Sequence, residues 1–88
     1  MRIELFDWDN DNICHIERHG LYHEEVDEIL DYDYRTVQTR NGCYILYGRS
    51  AAGRYLAVVV KPIGNQIARV ITARDMTMTE KRRYGRLL

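Results

Sequence analysis

Eleven of the thirteen cationic residues in this chain are arginine, and eleven of the thirteen lie beyond residue 33. A guanidinium presents a planar fork of N–H donors that grips phosphate oxygens in pairs and stays charged when partly buried. A lysine ammonium is a flexible point charge. Residues 1–33 hold 11 Asp/Glu and 2 Lys/Arg, a net of −9, and residues 34–88 hold 2 and 11, a net of +9. The formal charge of zero therefore conceals two opposed halves. Such asymmetry points to a surface facing nucleic acid, or to halves that neutralise each other across a fold interface. Tyr44, Tyr47, Tyr55 and Tyr84 are interleaved with the arginines. Single-stranded RNA suits that mixture, with bases stacked on rings and phosphates on guanidiniums. Tyrosine is also favoured on half-buried strands, so the rings alone leave both readings open.

The groups must be positioned by short elements. Ile3, Leu5 and Phe6 suggest a first strand, with Arg2 and Glu4 on its other face. Asp9 is a good cap for a helix over about 10–19, ended by Gly20. A second helix runs from Tyr22 or His23 to Leu30, with Val26, Ile29 and Leu30 on one side. Glu24, Glu25, Asp27 and Glu28 load its first turns with charge that complements the helix dipole. That acidic side is either a solvated surface or a docking face for a basic segment. Beyond it the pattern is a meander, with turns at Asn41-Gly42, 51–53 and Gly64-Asn65. The strands between them cover about 34–38, 43–49, 54–61 and 66–74. Thr77 or Thr79 then caps a last helix, with Glu80 completing a capping box from Thr77.

The order β-α-α-β-β-β-β-α defines an α+β domain: a small antiparallel sheet with two N-terminal helices and one C-terminal helix, gathered on one face. Alternation along the strands puts Ile45, Tyr47 and Arg49 together, and Tyr55, Ala57, Val59 and Lys61 together. In the last strand it puts Ile67, Arg69 and Ile71 on one face and Ala68, Val70, Thr72 and Arg74 on the other. Arg69 sits mid-strand between isoleucines, where a charge needs either a ligand or an acidic partner from the first half.

Eighty-eight residues make a single domain, 1–88, that is 45% hydrophobic and 30% charged, within the globular range. No apolar run reaches the ~18 residues of a membrane span. The start, MRIELFDWD, enters patterned sequence at once, which predicts no signal peptide, no membrane partner and a cytoplasmic setting. Cys14 and Cys43 have no metal-ligand spacing with His15, His19 or His23, and read as two small buried or half-buried thiols rather than a disulfide or a metal site. The histidines recur every four residues, but Gly20 breaks the helix that would align them as a zinc site. No cofactor is expected.

The chain resembles the BrnT toxins of bacterial type II toxin–antitoxin systems from end to end. The resemblance lies in Phe6-Asp7-Trp8-Asp9, Arg18-His19-Gly20, Glu24-Glu25, Tyr47-Gly48-Arg49-Ser50, Gly53-Arg54, Ile71-Thr72-Ala73-Arg74, Thr77, Glu80 and Tyr84, in that order and spacing. It implies a RelE-like ribonuclease fold, metal-independent RNA cleavage that arrests growth, and neutralisation by a cognate BrnA-like antitoxin. DNA would be bound only through the antitoxin complex, and homodimer contacts would arise within that assembly. The family usually has Lys where this chain has Asn12 and Asn where it has His15. It often has a basic residue at Asp75 and more of them at Met78 and Thr79, so the cluster of Lys81, Arg82, Arg83 and Arg86 is thinner here.

Under this resemblance, cleavage needs a base for the 2′-hydroxyl, cations for the phosphorane-like transition state and an acid for the leaving 5′-oxygen. Arg69 and Arg74 take the cation role, with Arg49 as the third candidate. Tyr84 stacks a base or assists proton transfer. Glu80 and His19 are the acid/base candidates, although Glu80 also suits a helix cap and His19 a helix C-terminus. Two other classes compete with the enzyme. One is a catalytically degenerate toxin-fold protein acting only as an interaction or co-repressor module. The other is a duplex-DNA accessory protein, which the lack of a helix dense in Arg, Asn and Gln disfavours.

Overall fold

The computed structural model describes residues 2–88, apart from the side chain of Leu87. Strand β1 (Leu5–Asp7) leads into α1 (Asn10–Glu17) and α2 (His23–Asp27), which continues as a 3₁₀ turn over Glu28–Asp31. Strands β2 (Tyr34–Gln38), β3 (Tyr44–Arg49), β4 (Tyr55–Gly64) and β5 (Ile67–Asp75) follow, then α3 (Met78–Tyr84) and a 3₁₀ turn over Gly85–Leu87. The order is the expected β-α-α-β-β-β-β-α. Strands β2 to β5 form an antiparallel meander, and β1 joins its far edge parallel to β5, giving the sheet order β1-β5-β4-β3-β2. The parallel edge follows from α1 and α2, which carry the chain across the sheet before β2 begins.

Local chemistry sets the element ends. Asp9 accepts a hydrogen bond from the Asn12 N–H at 2.8 Å and starts α1. Gly20, at φ +79°, turns the chain beyond it, so that α1 stops two residues before the expected His19. Asn41 and Gly42 both take positive φ, the backbone a tight hairpin requires.

Ile16, Leu21, Val26 and Ile29 pack against Leu46, Leu56, Val58, Val60, Ala68 and Val70, all essentially sealed from solvent. This is the main core, and it fills one face of the sheet. Gly48 allows the 3₁₀ turn to lie on β3, since a side-chain carbon there would stand 2.9 Å from Ile29 Cβ. Ile3 and Phe6 also enter this core, whereas Leu5 is 57% exposed. The first strand thus turns Leu5 outward, contrary to the expected apolar set, because its pairing to β5 sets Phe6 opposite the buried Ala68.

Two expectations about faces are corrected. The helices do not share one face: α3 lies on the other side, where Tyr84 and Leu88 pack with Tyr47, Ala57 and Met76. The last strand also does not alternate throughout. Val60 pairs with Val70 and Val59 with Thr72, so Ile71 is an extra residue in a bulge. Ala68 and Val70 point into the main core, but beyond the bulge it is Ala73 that does so. Thr72 and Arg74 thereby move to the face of Lys61 and Arg69, opposite Val59 and Ala57.

Candidate functional site

The register builds a row across that second face. Arg35 on β2 stands opposite Tyr47 on β3, Tyr47 opposite Ala57 on β4, and Ala57 opposite Arg74 on β5. Ala57 is the small member, and α3 reaches over the row at its position. Thr77 caps this helix in the expected box: its Oγ1 accepts from the Glu80 N–H at 3.1 Å, and Glu80 Oε1 accepts from the Thr77 N–H at 2.9 Å. The box fixes Glu80 at the centre of a cluster. Arg74 donates from Nη1 to Oε1 at 2.6 Å and from Nη2 to Oε2 at 2.9 Å, and the Tyr47 hydroxyl donates to Oε2 at 2.8 Å. The Tyr84 ring stacks on Tyr47 at 4.1 Å between centroids and 11° between planes.

Protonation states follow from these contacts. The Arg74 guanidinium, with help from the Thr77 N–H and the Tyr47 hydroxyl, holds the Glu80 carboxyl down to about 2. Burial, and then the hydrogen bond to Glu80, push the Tyr47 hydroxyl up to about 12. At neutral pH the pair is a fixed carboxylate and a fixed phenol. A carboxylate of so low a pKa, with both oxygens already accepting, is a poor proton acceptor. Glu80 is built to orient Arg74 and Tyr47.

Arg74 keeps one edge free. Glu80 takes the end-on pair of donors, Nη1 and Nη2, and Nη1 also reaches the Asp75 carbonyl at 3.3 Å. Its side-on edge, Nε with the second hydrogen of Nη2, makes no hydrogen bond among the described residues. Arg69 and Arg54 show the opposite arrangement. Arg69 gives Nε and Nη2 to Asp7 Oδ2 at 3.1 and 2.9 Å. Arg54 gives the same edge to Asp75 at 2.7 and 2.8 Å, and Nη1 to Glu25 and the Gly20 carbonyl, both at 3.0 Å. Asp75, at a position where a basic residue was anticipated from the resemblance, is thus the anchor of a rivet joining β4, β5 and the α1–α2 turn. The guanidinium of Arg54 holds that carboxyl below its ordinary range.

The residues singled out in the sequence are therefore divided. Arg74, Glu80 and Tyr84 meet in one cluster. Arg49 lies on the same face two residues beyond Tyr47, its guanidinium 4.8 Å from the Tyr55 ring centre. Arg69 stands five residues before Arg74, roughly 15 Å along the strand, in its ion pair with Asp7. His19 lies in the turn after α1, edge-on to His15 at 5.0 Å, and no hydrogen bond or ion pair ties it to the cluster among the described residues. Tyr47 carries no assigned role in the sequence beyond its place among the interleaved tyrosines and in the Tyr47-Gly48-Arg49-Ser50 motif. Its signal was its place on the Arg49 face, but its link to Glu80 depends on where α3 lands. Lys81, Arg82, Arg83 and Arg86 are exposed on α3 and the turn after it, with Arg83 5.5 Å from the Tyr84 ring centre and Lys81 5.1 Å from that of Tyr55. No helix among the described residues is long and apolar enough to cross a membrane.

A five-stranded sheet with two helices on one face, and a capped C-terminal helix on the other, defines an α+β fold. The particular likeness is to BrnT. The crystal structure of the Brucella abortus ribonuclease toxin BrnT aligns with 89% of this chain and all of that one, at a TM-score of 0.64 and 20% sequence identity. The resemblance anticipated from the motifs is borne out as shared architecture. No protein-family model and no curated protein matches the chain.

Proposed function

We propose that this chain is the toxin of a type II toxin–antitoxin pair, a metal-independent endoribonuclease restrained by a BrnA-like antitoxin. The observation that carries the reading is the Nε–Nη2 edge of Arg74, free among the described residues and held in place from behind by Glu80, with the exposed cations of α3 adding positive charge on the same helix. A fork oriented this way seats a phosphate and stabilises the charge that grows on it in the transition state. The substrate's 2′-hydroxyl attacks the adjacent phosphorus, the P–O5′ bond breaks, and a 2′,3′-cyclic phosphate and a 5′-hydroxyl result. Solvent takes the 2′ proton and supplies the 5′ one, and the protein contributes position and charge. Tyr84 braces Tyr47, and the Arg83 guanidinium over its ring at 5.5 Å adds a cation beside the cluster for a neighbouring phosphate. Arg69 and His19 stand outside the cluster and take no part in this scheme.

The test is cleavage of single-stranded RNA by the purified chain, free of antitoxin and in EDTA. Wild type yields cyclic-phosphate ends. Arg74→Ala folds normally and loses on the order of 10²–10³ in rate. Equal cleavage by a folded Arg74→Ala chain removes Arg74 from the mechanism.

One observation favours the second reading, a toxin fold retained only for interaction: Arg54 and Arg69 are both clasped by carboxylates. Exposed Leu5, Ile63 and Ile71 also leave apolar surface for a protein partner. Under that reading the wild-type chain leaves RNA intact, while co-expression with the antitoxin still yields a complex. DNA shifts in a gel only with that complex under either reading.

A further inference from the structure

Arg49 differs from its neighbours. Arg54, Arg69 and Arg74 each hold a carboxylate, whereas none of the N–H groups of Arg49 makes a hydrogen bond among the described residues. The side chain is nevertheless held. Its guanidinium lies over the Tyr55 ring at 4.8 Å, and in the next turn a side-chain carbon on Gly53 would stand 3.2 Å from Nη2. Nε is buried without a partner. A half-buried cation whose donors lack acceptors is costly, and an anion reaching the Nη groups, which unlike Nε are not sealed from solvent, offsets that cost.

Arg49 lines an open cleft of about 320 Å³ with Tyr32, Asp33, Ser50 and Ala51. Three chemistries meet there. The guanidinium suits a phosphate. The Tyr32 ring, 54% exposed, suits a stacked base. The Asp33 carboxylate repels a bare anion but accepts a hydrogen bond from a hydroxyl, and the 2′-hydroxyl is what distinguishes RNA from DNA. The cleft also adjoins the Arg74 cluster, since Arg49 and Tyr47 share a face about 7 Å apart along β3.

We propose that this cleft is a nucleotide subsite for single-stranded RNA: phosphate on the Nη groups of Arg49, base on Tyr32, ribose 2′-hydroxyl on Asp33. The inference rests on the ribonuclease reading for its role, as a grip on the nucleotide flanking the one cut at Arg74, but its binding chemistry is tested separately.

Three probes that cannot be cleaved suffice: inorganic phosphate, uridine 3′-monophosphate and its 2′-deoxy counterpart, titrated into the labelled full chain by NMR. Phosphate and nucleotide should both move the Arg49 Nε–H resonance, and the ribonucleotide should bind at least threefold tighter than the deoxy form. Arg49→Gln should weaken nucleotide binding at least tenfold, with Arg49→Lys in between and Arg40→Gln unchanged. Tyr32→Ala should weaken the nucleotide but not phosphate, and Asp33→Asn should erase the preference for ribose. An Arg49 resonance unmoved by saturating phosphate, or equal nucleotide affinity in Arg49→Gln, overturns the subsite. If Arg49→Gln fails to fold, the wild-type resonance and Tyr32→Ala decide. Cleavage of a long RNA separates the two ideas. An uncut RNA with intact nucleotide binding removes the ribonuclease and keeps the cleft. Cleavage with no nucleotide binding does the reverse.

Discussion

Glu80 accepts four hydrogen bonds from three residues, and each favours its charged form. Its folded pKa of about 2 lies below the ordinary carboxylate value of 4.5. The stabilisation is therefore fully present above that ordinary value and is lost as pH falls from about 4.5 towards 2. Allowing for partial exposure, the group should contribute on the order of 2 kcal/mol across this window. Urea unfolding of Glu80→Gln at a series of pH values should show a correspondingly flatter acid limb. A limb as steep as that of wild type would mean that the Arg74–Glu80 pair is not formed in solution. Tyr47 has the opposite sense: its proton is retained well past neutrality, so it remains a donor at neutral pH.

At the scale of elements, α3 carries the site yet spans only seven residues. A helix this short is not stable alone and needs its cap and its packing. The Thr77 box supplies the cap, and the stack of Tyr84 on Tyr47 supplies the packing. Thr77→Ala should cost about 1 kcal/mol and lower the melting temperature by about 4–8 °C, as read by calorimetry. An unchanged melting temperature would show that α3 docks independently of its cap. Strand β5 makes a second element-scale contribution. Its bulge at Ile71 turns Arg74 from the core side to the face of Tyr47, so a single extra residue assembles the cluster.

Across the whole molecule, the charge division along the chain becomes a division in space. Acidic residues lie mainly on the layer of α1 and α2, while Arg35, Lys61, Arg74 and the cations of α3 lie on the other side of the sheet. Among the described residues only two ion pairs join the halves, Arg54–Glu25 and Arg69–Asp7. Mutual neutralisation is thus the minor outcome, and a polar molecule with one basic face is the major one. If that face grips about four phosphates, RNA affinity should fall with salt at a log–log slope of roughly −3. A flat response in a binding titration would exclude an electrostatic RNA surface.

Features governed by neighbours in sequence were legible without coordinates. The Asp9 and Thr77 caps, the Gly20 stop, the Asn41-Gly42 turn and the element order all depend on backbone geometry within a few residues. The alternation of β3 and β4 was equally local, and it placed Tyr47 and Arg49 together. Contacts distant in sequence decided the rest. The parallel seat of β1, the outward Leu5, the bulge at Ile71 and the placement of α3 away from the other helices all arise where segments compete for one core. The same competition determined which arginines met carboxylates. Asp7 and Asp75 engaged Arg69 and Arg54, while among the described residues Arg74 kept an open edge and Arg49 was left unpaired. Composition determined that this chain would be rich in guanidiniums, and only packing decided which of them remained open to a phosphate, because pairing depends on distances that a linear sequence does not contain.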